Sequence, residues 1–544
     1  MMGEEGATAL ATRERSSKLL LATRIASVVM VTVVVAWFAW LSDDALITVR
    51  TALNTVNGYG PVFNIDERVQ AYTHPLWFGV LVVAGWLTGQ WMLMPMLLGI
   101  AATAAATGII VSHVTAVSRV VVLTVALVLS NAFVEYATSG LENGLSYLLL
   151  AALLITAYRL LNTPTLGWAI GAGALTAALL LNRLDLILII APLGVYLAVR
   201  MRAQVIALIA MLVTAAIPII AWFTFSAIYY GSLLPTTFTA KTNVDIPRGE
   251  LLVSGFRYLS ITFIHDPVSL VILVGGAILA IVTGGIVTRL TMIGIGLYLA
   301  YIIWIGGDFM AGRFVAVPVF LTVAALALER AGVFVALFPD INRRQAKSPN
   351  RAVRRAATIG VIALLAPMLV IGWGRSNALT PELENGERWD FMANGGIADE
   401  RGFYMARARG LWQYLGTLRP TVDPFAPTDD GEEPLFPDDL VQLQAAASSW
   451  PNGAEVDDVI VRCGGLGQTG ISTGPATHLI DPCGLSDAFI AEITFIGRDF
   501  AWRIGHFERL LPNGYLEAIE QADAALVEDE VLRERLERLW ERIR

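Results

Sequence analysis

Charged residues are scarce in this chain. They make up 15% of its 544 residues, against 56% hydrophobic, where a water-soluble domain of that length carries about a quarter. The deficit excludes an ordinary soluble enzyme. Basic residues are outnumbered as well: 38 Lys and Arg against 46 Asp and Glu give a net charge of −8. With no basic stripe interleaved with aromatics, a nucleic-acid partner is excluded. Cysteine is nearly absent. The two present, Cys463 and Cys483, have no companion set of Cys and His at ligand spacing, so a zinc site is a poor reading.

What the chain has is apolar runs near the roughly 20-residue spanning length. Candidate spans fall at 24–41, 92–112, 120–137, 144–161, 166–182, 184–200, 204–225, 268–288, 291–305, 314–328 and 355–373. The fold class expected is a polytopic α-helical membrane protein with about 11 transmembrane helices and a C-terminal mixed α/β domain. Its domains are 1–373 in the membrane and 374–544 outside it. The first apolar run lacks a small-residue cleavage site and reads as a retained span. Lys and Arg orient the spans. Arg13, Arg15, Lys18 and Arg24 precede the first span. Arg119, Arg159, Arg200, Arg202, Arg289 and the cluster from Arg343 to Arg355 fall on the same side. Every acid from Asp43 to Asp308 falls on the other. The agreement requires "PLWFGVLVVAGWLTG" (75–89) to be an interfacial or re-entrant helix. The N-terminus is then cytoplasmic and the tail extracytoplasmic, in a multi-pass protein of the plasma membrane.

In the tail, "TVDPFAPTDDGEEPLFPDDL" is linker-like, "VDDVIVRCGG" alternates as a strand does, and the last 29 residues read as one amphipathic helix. An oxidising compartment favours a Cys463–Cys483 disulfide over two separate buried thiols.

A transporter places ionisable groups near the bilayer midplane. Here they gather at span ends on one face, as an enzyme with a lipid-tailed, polar-headed substrate would require. "SDDALITVR" (42–50) carries adjacent Asp43 and Asp44. Ser42 can cap a helix from about 43 to 56, ended by Asn57-Gly58. The first turn of that helix favours carboxylates, and Arg50 falls on the same face as Asp43. Two acids exceed what a cap needs, so one is expected to be structural and the other free for chemistry. The other polar groups on this face each have a structural alternative. His74 could be a boundary anchor, Glu142 a helix cap, Arg183 and Asp185 a surface pair, Lys241 a solvated loop residue, and Asp308 and Arg313 a structural pair.

Together "SDDALITVRTALNTVNGYGPVFNIDERVQAYTHPLW", "YYGSLLPTTFTAK" and "GGDFMAGRFVAVP" resemble large membrane glycosyltransferases of the GT-C architecture, which use polyprenyl-phosphate sugars. With "WRIGHFERLLPNGY" (502–515), nearly the whole chain is similar to the mycobacterial and corynebacterial cell-wall arabinofuranosyltransferases that add terminal β-(1→2) residues. The resemblance implies decaprenylphosphoryl-arabinofuranose as donor. It implies arabinan of arabinogalactan or lipoarabinomannan as acceptor, with membrane lipid as the surrounding partner. A β-linked donor implies net retention. The acid pair would supply a nucleophile, or a base with electrostatic support in a front-face reaction. Asp43 and Asp44 are expected to be catalytic. Lys241, Arg313 and Arg183 are expected on the departing phosphate. His74, Glu142, Asp185, Asp308, Trp502, Arg503 and His506 are expected on sugar or acceptor. No cofactor is required; a divalent cation on Asp43, Asp44 and Asp308 is the lesser alternative. Competing readings are a mannosyltransferase of the same architecture, a lipid-linked sugar flippase, and a glycan-binding scaffold.

Overall fold

The computed structural model describes residues 2–329, 396–406, 409–416, 439–496 and 502–544. The expected span at 355–373 and almost all of the 421–440 linker lie outside the described residues. Among the described residues, five helices are long and apolar enough to cross a membrane: Glu14–Trp37, Leu93–His113, Asn143–Asn162, Val205–Tyr229 and Ile286–Trp304. Arg248–His265 and Pro267–Val282, bent by 108° at their junction, make a sixth if counted as one span. The Pro75–Thr88, Val117–Leu129, Leu166–Asn182 and Arg313–Ala327 helices are apolar but shorter.

Two expected spans are interrupted, each by a polar group that caps a new helix. The 120–137 run breaks at Ser130, whose Oγ accepts the Phe133 amide at 3.1 Å. Asp266 accepts the Ala132 amide at 2.9 Å, starting the short Asn131–Tyr136 helix. The 268–288 run stops at Gly284-Gly285, where the Gly285 amide donates to Glu329 at 2.7 Å. A further helix, Arg248–His265, was not among the expected elements.

Close helix approaches use glycine, as membrane bundles commonly do. Gly294 lies against the Ile189 carbonyl and Gly173 against the Met211 carbonyl, leaving no room for a Cβ. At one end of the bundle Arg24 donates to the Val114 carbonyl at 2.7 Å. Arg119 donates to the Glu329 carbonyl at the same distance, and Thr288 donates to the Glu329 carboxylate. Asp44, Glu142 and Asp308 gather at the opposite end.

The tail is woven into that opposite end. The Leu41 amide donates to the Arg409 carbonyl and Leu411 to Ala39, both at 3.0 Å. Ala398 donates to Phe309 at 2.8 Å, and Ala311 back to Ala398 at 3.0 Å. The loop strand Val244–Asp245 pairs in parallel with Phe495–Ile496. Asp458–Val461 pairs in parallel with Thr477–Ile480, the chain crossing over through the Leu466–Thr473 helix. Cys463 and Cys483 are disulfide-bonded across this unit, their Cα atoms 5.6 Å apart. Ile47, Phe63 and Ala71 of the first loop share an apolar cluster with Leu466 and Leu479 of the tail.

The last 29 residues are not one helix. Tyr515–Gln521 ends at Ala522 in the left-handed region, φ 53°. Asp529 then caps Glu530–Ile543 through the Leu532 amide at 2.9 Å.

Candidate active site

The helix that carries the acid pair runs Asp43–Val56. Ser42 Oγ accepts the Ala45 amide at 3.3 Å, and Asn57 closes the far end. The two carboxylates of its first turn diverge. Asp43, expected to be catalytic, accepts the Gly467 amide at 2.9 Å and the Gln468 amide at 2.8 Å, with Arg409 3.7 Å away. It therefore holds the N-terminus of the Leu466–Thr473 helix, where exposed amides and the helix dipole attract an anion. Burial still raises its carboxyl above the ordinary value, against Arg409 and those amides. Nor does Asp43 pair with Arg50. That guanidinium is wholly buried and donates to three carbonyls: Phe63 at 2.8 Å, Gly470 at 2.5 Å and Thr477 at 2.9 Å.

Asp44 opens into a basin of opposite charges. Its carboxylate, 27% exposed, lies 3.4 Å from Arg313. Arg313 also faces Asp308 at 3.8 Å and Glu142 at 4.0 Å. Left-handed glycines make this possible: Gly307 (φ 86°) and Gly312 (φ 87°) fold the loop so that Asp308 and Arg313 face one centre. Glu142 sits at the start of the Asn143–Asn162 helix but its side chain caps nothing. It turns instead to His74 at 3.4 Å and Arg183 at 3.6 Å. His74, buried rather than anchoring at a water boundary, meets the Thr48 hydroxyl through Nε2 at 2.9 Å.

Arg183 is well occupied. Besides Glu142 it donates to both Asp185 oxygens, to the Tyr298 hydroxyl at 2.7 Å and to Asn143 at 3.2 Å. Its geometry supports the basin wall more than it presents a free cation. Lys241 stands exposed on the Thr236–Thr242 helix, its Nζ beside Gly505.

Electrostatics divide these groups. Burial opposes ionisation of Glu142, yet His74, Arg313 and Arg183 together hold its carboxyl below the ordinary value. Burial raises Asp308 against the pull of Arg313 and Lys241. Burial, with Arg313 adding its repulsion, lowers His74 despite Glu142. Glu142 Oε2, Asp308 Oδ2 and Arg313 Nε are buried without a hydrogen-bond partner among the described residues. Unmet polar groups of this kind cost stability unless a ligand completes them. The Asp43, Asp44 and Asp308 carboxylates do not gather within metal-ligand reach of one another among the described residues. Asp43's turn toward the tail is the reason.

The tail delivers Arg503 and His506 to the same region through Phe309, the neighbour of Asp308. The Arg503 guanidinium lies over the Phe309 ring at 4.5 Å, and the His506 ring meets it edge-on at 4.5 Å. Burial, Arg503 and Lys241 push His506 down to about 3, so the imidazole is neutral, and its Nδ1 has no hydrogen-bond partner among the described residues. Trp502 is not with them; it packs on Phe507, ring centres 5.9 Å apart.

Sequence reasoning missed Glu400 and Arg409. Glu400 is buried and bonded to Arg503 at 3.0 Å; burial pushes it up to about 8, with Asp44 and Asp43 adding to the rise. Arg409 is fully buried between Asp43 and the Tyr404 ring. The available signal was the density of aromatics and charges in "ERGFYMARARGLWQY" (400–414), unusual for a linker or a solvated face.

Over 90% of its length, and 84% of the relative's, the chain is 27% identical to a Mycobacterium tuberculosis (strain H37Rv) protein named terminal beta-(1->2)-arabinofuranosyltransferase. A Corynebacterium glutamicum protein of the same name is 31% identical over 331 residues, covering 52% of this chain and 46% of that relative. No family model matches the chain, and no solved structure matches it.

Proposed function

We propose that this chain is a membrane arabinofuranosyltransferase that forms terminal β-(1→2) linkages on arabinan. The observation that carries this reading is one open carboxylate, Asp44, in a buried acid–cation basin, within a chain similar over most of its length to a protein named for that activity. Decaprenylphosphoryl-arabinofuranose is the donor, and the ends of arabinogalactan or lipoarabinomannan are the acceptor. The architecture is GT-C-like, with about eleven spans, the N-terminus cytoplasmic and the tail outside as an acceptor-side domain.

In the reaction the bond between C1 and the phosphate oxygen breaks, and one between C1 and the acceptor O2 forms. The phosphate leaves as an anion, so cations aimed at it contribute most. Arg313 and Lys241 take that role, while Arg183 braces Glu142 and Asp185. Net retention requires either two displacements through Asp44 or departure and attack on one face with Asp44 accepting the acceptor proton. Glu142 and Asp308, each with an unbonded oxygen, receive sugar hydroxyls. The clustering of these groups at helix ends rather than mid-helix favours a transferase over a flippase.

Purified protein incubated with labelled decaprenylphosphoryl-arabinofuranose and a short arabinan should yield a β-(1→2)-capped product. Transfer from a polyprenyl-phosphate mannose instead, or no transfer, would overturn the reading.

A further inference from the structure

We infer that a cavity beside the basin is a carbohydrate subsite, holding an internal sugar of the acceptor while the chain end reacts. The inference rests on the arabinofuranosyl-transfer reading and adds to it a dependence on acceptor length. The cavity encloses about 110 Å³ where the tail meets the outer end of the Val205–Tyr229 helix. One water needs only about 10–15 Å³ by such a measure, so there is room for a ring-sized group.

Its wall comes from three separate stretches: Arg68 of the first loop, Thr236 and Thr239 of the Thr236–Thr242 helix, and Glu492 and Arg542 of the tail. Apolar Leu234 lies among them. A sugar ring presents the same mixture, hydroxyl edges and C–H faces. Part of the frame is already fixed. Arg68 donates to the Arg542 carbonyl at 3.3 Å and the Arg544 carbonyl at 2.9 Å, and lies over the Tyr229 ring at 5.8 Å. The Thr236 and Thr239 hydroxyls are different. They lie one turn apart on a helix and make no hydrogen bond with the described residues, which leaves both for a ligand.

That helix is also a wall of the basin, because Lys241 on it reaches Gly505 and acts on Asp308 and His506. A helix with its side chains is about 10 Å across. The cavity and basin are therefore separated by roughly the length of one or two sugar units. The arrangement suits a polymer that crosses the helix, one residue in the cavity and its end at Asp44.

The test compares synthetic arabinofuranose di- and hexasaccharide acceptors on the full chain in lipid nanodiscs. Thr236→Val with Thr239→Val should raise the hexasaccharide KM about tenfold, with kcat and all disaccharide kinetics unchanged. Thr239→Trp, which fills the cavity, should do the same, and intact disaccharide turnover reports an intact fold. An unchanged hexasaccharide KM in both variants, or equal losses on both acceptors, would overturn the subsite while wild-type transfer upholds the functional reading. No wild-type transfer to either acceptor would overturn that reading, and the subsite with it.

Discussion

Two buried clusters of acid, histidine and arginine lie at the same end of the molecule, and they are completed differently. Around His478 the polar groups find one another. Asp66 meets His478 Nδ1 at 2.9 Å, Asn64 donates to Glu67 at 3.0 Å, and the Tyr515 hydroxyl donates to Asp487 at 3.0 Å. Around Glu142 the charges are close, but Glu142 Oε2, Asp308 Oδ2 and Arg313 Nε have no hydrogen bond among the described residues. The first arrangement pins the first loop to the tail; the second leaves specific atoms for a ligand to satisfy. Proximity of charges alone does not mark a site; incompleteness does.

The sharpest way to break this contrast is Asp44→Asn. If the basin is the reaction centre, turnover should fall by about 10³, within the usual range for a general acid–base group, while the melting temperature moves little. Near-normal product formation would put the chemistry elsewhere. Next comes Arg313→Ala, which should weaken donor affinity at least about tenfold, the worth of a charge-assisted hydrogen bond. A donor analogue lacking phosphate should bind both forms alike, as direct binding measurements can show.

Asp43→Ala probes the holding function beside the catalytic role proposed for Asp44. Loss of a helix cap costs about 0.5–2 kcal/mol, so chemical denaturation should show that deficit, with a far smaller effect on kcat than Asp44→Asn. Equal effects of the two variants would erase the distinction between the neighbours.

The subtlest contrast is in pH. Burial pushes Glu67 up to about 8, against His478 and Asn64. Burial works against a charged His478, but the Asp66 hydrogen bond and nearby acids hold it above the ordinary histidine value. In both cases the folded chain binds protons that the unfolded chain has released. Stability should therefore fall as pH rises, from about 4.5 to about 8 for Glu67 and above about 6.5 for His478. Glu67→Gln should flatten the profile of melting temperature between pH 5 and 8 without altering donor binding. An unchanged slope would show that the carboxyl is not buried as described.

What the sequence made legible follows the range of the interactions. Ser42, the acid-rich first turn and Asn57-Gly58 identify the Asp43–Val56 helix because caps act within four residues. The strand at 458–461 is visible for the same reason, in its alternation. The interruption at Ser130 is half local: the serine cap is in the sequence, but Asp266, 134 residues away from Ala132, is not beside it. The direction of Asp43, the three carbonyls on Arg50, and the roles of Glu400 and Arg409 were hidden. Their partners come from distant segments, and periodicity reports a buried face without saying what covers it.

Arg50 also sets a schedule for biosynthesis. Its Gly470 and Thr477 acceptors lie 420 and 427 residues further along the chain. At about 5–20 residues per second, translation takes roughly 20–80 s to make them after Arg50 has emerged. Throughout that interval the guanidinium that is destined for burial has neither of its distant acceptors, and the first loop cannot close around it. The segment that carries Asp44 is thus among the first parts of the chain to be made and among the last to be finished, because its packing waits for the tail.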